Sequence, residues 1–112
     1  MTPRAAVRVW IAQRASAAVL AVCVIIHLIT IAYATRSGLT AAELLARTHG
    51  NVGWLVFYAV FVLAAAVHVP IGLRTIASEW LGWRGRSAAI AAHLLALALA
   101  ALGLRAVWGV FA

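Results

Sequence analysis

The pattern of apolar and polar positions divides the chain into three long apolar segments joined by short polar stretches. Each segment exceeds the length of about 20 apolar residues with which a helix crosses a bilayer. Membrane helices are therefore predicted over residues 13–34, 52–76 and 87–110. Residues 40–43, Thr-Ala-Ala-Glu, match a capping box and predict a short surface helix over about residues 41–47. The residues before 13 are predicted to form a basic amphipathic lead-in.

The composition supports a single all-α membrane domain over residues 1–112. Apolar residues make up 67% of the chain, and the mean hydropathy is +1.08, which leaves too little polar surface for a water-soluble globule. The net charge of +7 does not indicate nucleic-acid binding, because the arginines cluster at the ends of the apolar segments rather than on one basic face. The single cysteine, Cys23, can form no disulfide within the chain.

The arginines also predict the orientation of the chain in the membrane. Cytoplasmic loops carry an excess of basic residues. Six arginines lie at the N-terminal flank or near the second loop, and three lie elsewhere in the chain. The six are Arg4, Arg8, Arg14, Arg74, Arg84 and Arg86. We therefore expect the N-terminus and the second loop in the cytoplasm and the C-terminus on the opposite side. No cleavage signal follows the first span, so we expect that helix to be retained rather than removed as a signal peptide.

A histidine within the second span is the leading candidate for chemistry. An ionisable side chain at membrane depth is costly unless it is bound by a partner. His68 lies six residues before Arg74, which corresponds to roughly 9 Å of helix. An imidazole at this depth suits a haem whose iron binds the ring and whose propionates meet the cation. Gly72, one turn further on, would let a flat macrocycle or a neighbouring helix approach the backbone.

Two further histidines lie in predicted spans, His27 in the first and His93 in the third. His27 shares a helical face with Gln13, Ser16, Leu20 and Cys23. His93 lies in a stripe of small residues formed by Ala89, Ala96, Ala100 and Gly103. Such faces also serve simple helix packing, and for His93 a hydrogen bond between helices is the preferred interpretation. The depths of His27 and His68 differ by roughly 10 Å, so the two cannot easily bind the same iron.

The chain resembles a known membrane-protein family in several short elements. These are Gln13-Arg14-Ala15-Ser16-Ala17, the later His27, the element His68-x-x-x-Gly72-Leu73-Arg74, and the acid Glu79. Together they resemble the cytochrome b membrane-anchor subunits of succinate dehydrogenase and quinol:fumarate reductase. The resemblance covers nearly the whole chain. It implies three membrane helices that pack with a second anchor subunit into a haem-binding helical bundle.

The resemblance also implies roles for individual residues. His68 matches an axial ligand of haem b, shared with a histidine of the second anchor subunit. Arg14 and Ser16 match residues beside a quinone pocket at the cytoplasmic face, where the iron–sulfur subunit docks. Gln13 stands where the family usually has a histidine. Thr75 stands where many members have a second histidine near the haem propionates, which leaves Arg74 as the expected propionate partner.

The function expected from the resemblance is that of a cytochrome b anchor in a succinate:quinone oxidoreductase of a bacterial inner membrane. The anchor would pass electrons between the iron–sulfur subunit and the quinone pool. Donors from Arg14 and Ser16 would stabilise a partly reduced quinone oxygen. Dicarboxylate chemistry would take place on a flavoprotein subunit, since this chain has no soluble domain. Two alternatives stay open: a second haem at His27, and a non-redox structural or assembly subunit without haem.

Overall fold

The computed structural model describes residues 2–112, and within this range every regular element is an α-helix. The helices are α1 (Pro3–Arg36), α2 (Ala41–Thr48), α3 (Val52–Leu81) and α4 (Arg86–Phe111). Three of them, α1, α3 and α4, are long and apolar enough to cross a membrane. The predicted all-α membrane fold is confirmed.

The first helix begins ten residues before the predicted span and absorbs the expected lead-in. The side chain of Thr2 accepts a hydrogen bond from the backbone N–H of Ala5, and Pro3 occupies the first turn. Both features start a helix, because the cap satisfies a free N–H group and proline has a suitable backbone angle. No residue between them and the span interrupts the helix. With 34 residues, α1 is about 51 Å long, which exceeds the ~30 Å hydrocarbon core of a bilayer.

The short helix α2 confirms the predicted capping box. The Thr40 hydroxyl accepts from the backbone N–H of Glu43, and the Glu43 carboxylate accepts from the backbone N–H of Thr40. At the end of α2, the Thr48 hydroxyl donates to the carbonyl oxygen of Val110 at 2.9 Å. The backbone N–H of Gly50 donates to the carbonyl oxygen of Phe111 at 2.8 Å. These bonds hold α2 and the end of α4 together at one end of the bundle, here called the α2 end.

The third helix is central, because it packs against both α1 and α4. It continues through Pro70 and ends five residues beyond the predicted boundary, at Leu81. Gly82 follows with φ of 64°, a left-handed conformation that glycine adopts readily and that commonly ends a helix. The Arg84 side chain then donates to the hydroxyl of Ser78 at 2.8 Å. The loop after α3 lies at the end of the bundle that also holds the start of α1, here called the amino end.

Helices α3 and α4 approach each other closely at Gly103. A Cβ atom at this position would lie only 2.5 Å from Cγ1 of Val62, so the contact depends on the missing side chain. Few residues of the isolated chain are buried: the hydrophobic ones are Cys23, Ala66, Ala88 and Val107. Most large apolar side chains face outward, as expected of a small bundle surrounded by lipid and other helices.

Candidate functional site

The structure brings two of the predicted site residues into direct contact between α1 and α3. The Oγ atom of Ser16 lies 3.4 Å from Nδ1 of His68. Ser16 is also the buried polar residue of the described chain, with 7% of its surface exposed. Its hydroxyl donates to the carbonyl oxygen of Gln13 at 3.1 Å. The same hydroxyl can accept a hydrogen bond from Nδ1 of His68 when that ring nitrogen carries the proton.

Gln13 and Gly72 extend this contact by one helical turn. The Nε2 atom of Gln13 lies 3.4 Å from the position that a Cβ atom would take at Gly72. The absence of a side chain at Gly72 therefore gives room to the amide. The Oε1 atom of Gln13 is buried without a hydrogen-bond partner, which is uncommon for a buried polar atom. We call Gln13, Ser16, His68 and Gly72 the inner polar cluster.

The contacts of His68 distinguish its two ring nitrogens. A histidine ligand usually donates its other ring N–H to a nearby acceptor, which fixes the tautomer and the ring orientation. The Nδ1 atom of His68 lies against Ser16, so Nε2 is the ring nitrogen that is left for a ligand. Among residues 2–112, no three His, Cys, Asp or Glu side chains come together to form a metal site. A metal at His68 would therefore take its other ligands from a macrocycle or a partner.

Arg14 and Arg74, the two arginines with predicted roles, lie outside the inner polar cluster. Arg14 is two residues from Ser16 and thus about 200° away around the helix. Arg14 is exposed, and its guanidinium carbon lies 5.6 Å from the ring centroid of Trp10. Arg74 is also exposed, on the part of α3 nearer the amino end. The structure therefore places both arginines at the amino end but on the surface of the isolated chain.

His27 belongs to a different region, nearer the α2 end. It lies eleven residues after Ser16 on α1, or about 16 Å along the helix. Its Nδ1 atom lies 3.2 Å from the hydroxyl of Tyr58. The ring also meets the rings of Tyr58 and Phe61 edge-on, with centroids 5.7 and 5.6 Å away. These side chains line a cleft of about 1240 Å³ between α1, α3 and α4.

His93 does not form the hydrogen bond between helices that we expected. Its Nδ1–H group donates to the carbonyl oxygen of Ala89 at 2.7 Å, within its own helix. The side chain is exposed on the surface of the isolated chain. The small-residue stripe does contribute to packing, but through Gly103 rather than through His93.

The sequence did not reveal the polar neighbours of His68 on α3 and of His27 on α1. The Tyr58 hydroxyl is the partner of His27, and Gln13 contributes an unpaired amide oxygen beside His68. One signal was available for Tyr58, because a tyrosine within an apolar span usually needs a polar partner. No comparable signal identified the role of Gln13.

The fold and the inner polar cluster define the class of the protein: a helical membrane protein with three candidate spans and a half-buried histidine that contacts a neighbouring helix. A family model described as the succinate dehydrogenase/fumarate reductase transmembrane subunit matches residues 1–105, and the chain belongs to this family. Comparison with curated proteins and with solved structures gives no significant match. The family predicted from the sequence is thus confirmed.

Proposed function

We propose that this chain is the cytochrome b anchor of a succinate:quinone oxidoreductase, which binds haem b through His68 and helps to form the quinone site. The observation that carries the proposal is the contact between His68 and the buried hydroxyl of Ser16. It gives the Nδ1 atom of the histidine a hydrogen-bond partner and leaves Nε2 available, which is the usual arrangement of a histidine that binds a metal. Family membership supports the assembly in which such a ligand would operate.

The residues around His68 are compatible with a haem. The Nε2 atom is the ligating atom, and a histidine of a second anchor subunit would supply the other axial ligand. Arg74, exposed and six residues further along α3, would pair with a haem propionate. When bound, the haem supplies a one-electron store. In this proposal the protein contributes the ligand, its orientation and the cation.

Of the two residues expected at the quinone, Arg14 would lie beside the site at the amino end, since Ser16 is buried about 200° away around α1. Arg14 is the donor, because its guanidinium is exposed beside the flat ring of Trp10. Such a cation stabilises negative charge that develops on a quinone oxygen during reduction. The Ser16 hydroxyl lies within reach of Gln13 and His68, so Ser16 would contact the haem ligand rather than the quinone. The unpaired Oε1 atom of Gln13 could accept from a quinol hydroxyl.

The partners follow from the same assignment. A second anchor subunit would cover part of the exposed apolar surface of the bundle, and membrane lipid would cover the remainder. The iron–sulfur subunit would dock at the amino end, where the basic residues concentrate, and would carry the flavoprotein subunit. In this arrangement the amino end faces the cytoplasm of a bacterium, in accordance with the excess of arginine there. The chain itself performs no dicarboxylate chemistry.

Haem content tests the proposal directly. The purified complex is expected to contain haem b, measured as its pyridine haemochrome, and to show the sharp reduced α-band of a six-coordinate low-spin haem. A complex that assembles with its iron–sulfur and flavoprotein subunits but contains no haem would contradict the proposal. That result would favour the alternative, a structural or assembly subunit whose histidines serve packing.

A further inference from the structure

We infer that Ser16 is a positioning residue for His68, which holds the ring in its Nδ1–H tautomer and increases the electron donation of Nε2 to the haem iron. The inference rests on the proposed haem site and assigns to Ser16 a role that neither the family nor the sequence motif provides. It makes a buried hydroxyl on α1 a determinant of the haem midpoint potential.

The proposed iron ligation sets the tautomer, and the structure supplies its acceptor. A neutral imidazole that binds iron through Nε2 carries its proton on Nδ1. The Nδ1 atom of His68 lies 3.4 Å from Oγ of Ser16. The serine proton has its own acceptor in the carbonyl oxygen of Gln13, 3.1 Å away, so the lone pairs of Oγ can receive the Nδ1–H group.

The same chain of bonds makes Ser16 a better acceptor than an isolated hydroxyl. Hydrogen bonds in series polarise one another, and donation to the Gln13 carbonyl increases the negative charge on Oγ. A ring whose N–H is bonded to such an acceptor is a more basic ligand. A more basic ligand stabilises ferric over ferrous iron, which lowers the midpoint potential. Burial of Ser16, with 7% of its surface exposed, keeps water from replacing it.

The test compares haem midpoint potentials in the assembled complex by redox titration. In Ser16→Ala we expect full haem content and a higher midpoint potential, because the hydroxyl that accepts from His68 is lost. The ratio of the affinities of His68 for ferric and ferrous iron should change by up to about tenfold. This change equals 59 mV for a one-electron couple. Ser16→Thr keeps the hydroxyl and should restore the potential toward the wild-type value. Ser16→Cys keeps a similar shape with a weaker acceptor and should also shift the potential upward.

Thr30→Ala is the matched control. The Thr30 hydroxyl donates to the carbonyl oxygen of His27 at 2.7 Å, also three residues back on α1, but it has no contact with His68. Its removal should leave the potential unchanged. An unchanged potential in Ser16→Cys and in a haem-containing Ser16→Ala complex would overturn the inference. Failure of the haem assignment itself is distinct, since the wild-type complex would then lack haem or would keep its spectrum in His68→Ala.

Discussion

Ser16 and His68 lie 52 positions apart in the sequence and meet at 3.4 Å between α1 and α3. The contact joins the only pair of predicted site residues that the structure brings together. In the same register of the two helices, His27 lies beside Tyr58. The interface between α1 and α3 therefore contains the inner polar cluster, where the haem ligand is proposed, and a second histidine region nearer α2.

The first prediction concerns the packing of α3 against α4. Gly103→Ala should destabilise the complex, because the new Cβ would lie 2.5 Å from Cγ1 and 3.0 Å from Cγ2 of Val62. Overpacking of this kind costs about 1–3 kcal/mol, more than the helix propensity gained from alanine. Thermal unfolding followed by circular dichroism in detergent would measure the loss. Gly109→Ala is the control, since nothing lies within 4 Å of its added Cβ.

A double variant makes this prediction specific. Val62→Ala removes the methyl groups that the new side chain meets, so Val62→Ala with Gly103→Ala should recover stability relative to the sum of the single changes. Strict additivity of the two changes would show that Val62 is not the cause of the destabilisation.

The second prediction concerns Arg14. Arg14→Leu should lower quinone reduction by about 10²-fold, the usual effect of removing one donor to a developing oxyanion. The haem spectrum should remain unchanged, because Arg14 lies away from the inner polar cluster. Arg8→Leu serves as the control, as it removes another exposed arginine from the same helix. Equal losses in both variants would indicate a general effect of charge at the amino end.

The third prediction concerns the number of haems. We expect a single one-electron component in a redox titration, because the rings of Tyr58 and Phe61 pack edge-on against the His27 ring, a packing that the ring of His68 does not share. A polar pair such as His27 and Tyr58 stabilises a membrane bundle by ~0.6 kcal/mol without any cofactor. His27→Leu should then leave haem content and midpoint potential unaltered. Two resolved midpoints, one of them lost in His27→Leu, would instead establish a second haem.

The fourth prediction concerns orientation. The hydrogen bonds from Thr48 and Gly50 to the last residues of α4 place α2 and the C-terminus at one end of the bundle. We expect this end outside the cytoplasm. A reporter that is active only in the cytoplasm should therefore be active when fused to the N-terminus and inactive when fused to the C-terminus. Activity at the C-terminus would reverse the assignment.

The spans and the capping box could be predicted because they depend on local patterns of apolar residues and caps. The sequence also placed Ser16 and His27 on one face of the first helix and His68 on a face of the second span. It could not determine which of these residues meet, because the register between α1 and α3 depends on packing along the whole interface. The sequence likewise could not show which side of α4 faces away from α3. For this reason it did not predict that His93 would bond to its own helix.

The absorption spectrum of the complex carrying His68→Ala is the most direct test of the central claim. Loss of the imidazole removes the proposed iron ligand, so the low-spin reduced α-band should disappear or change strongly in the assembled complex. His93→Ala, which removes an exposed histidine bonded only to its own helix, should leave the band unchanged. An unaltered low-spin spectrum in the His68→Ala complex would contradict the assignment of His68 as the axial ligand.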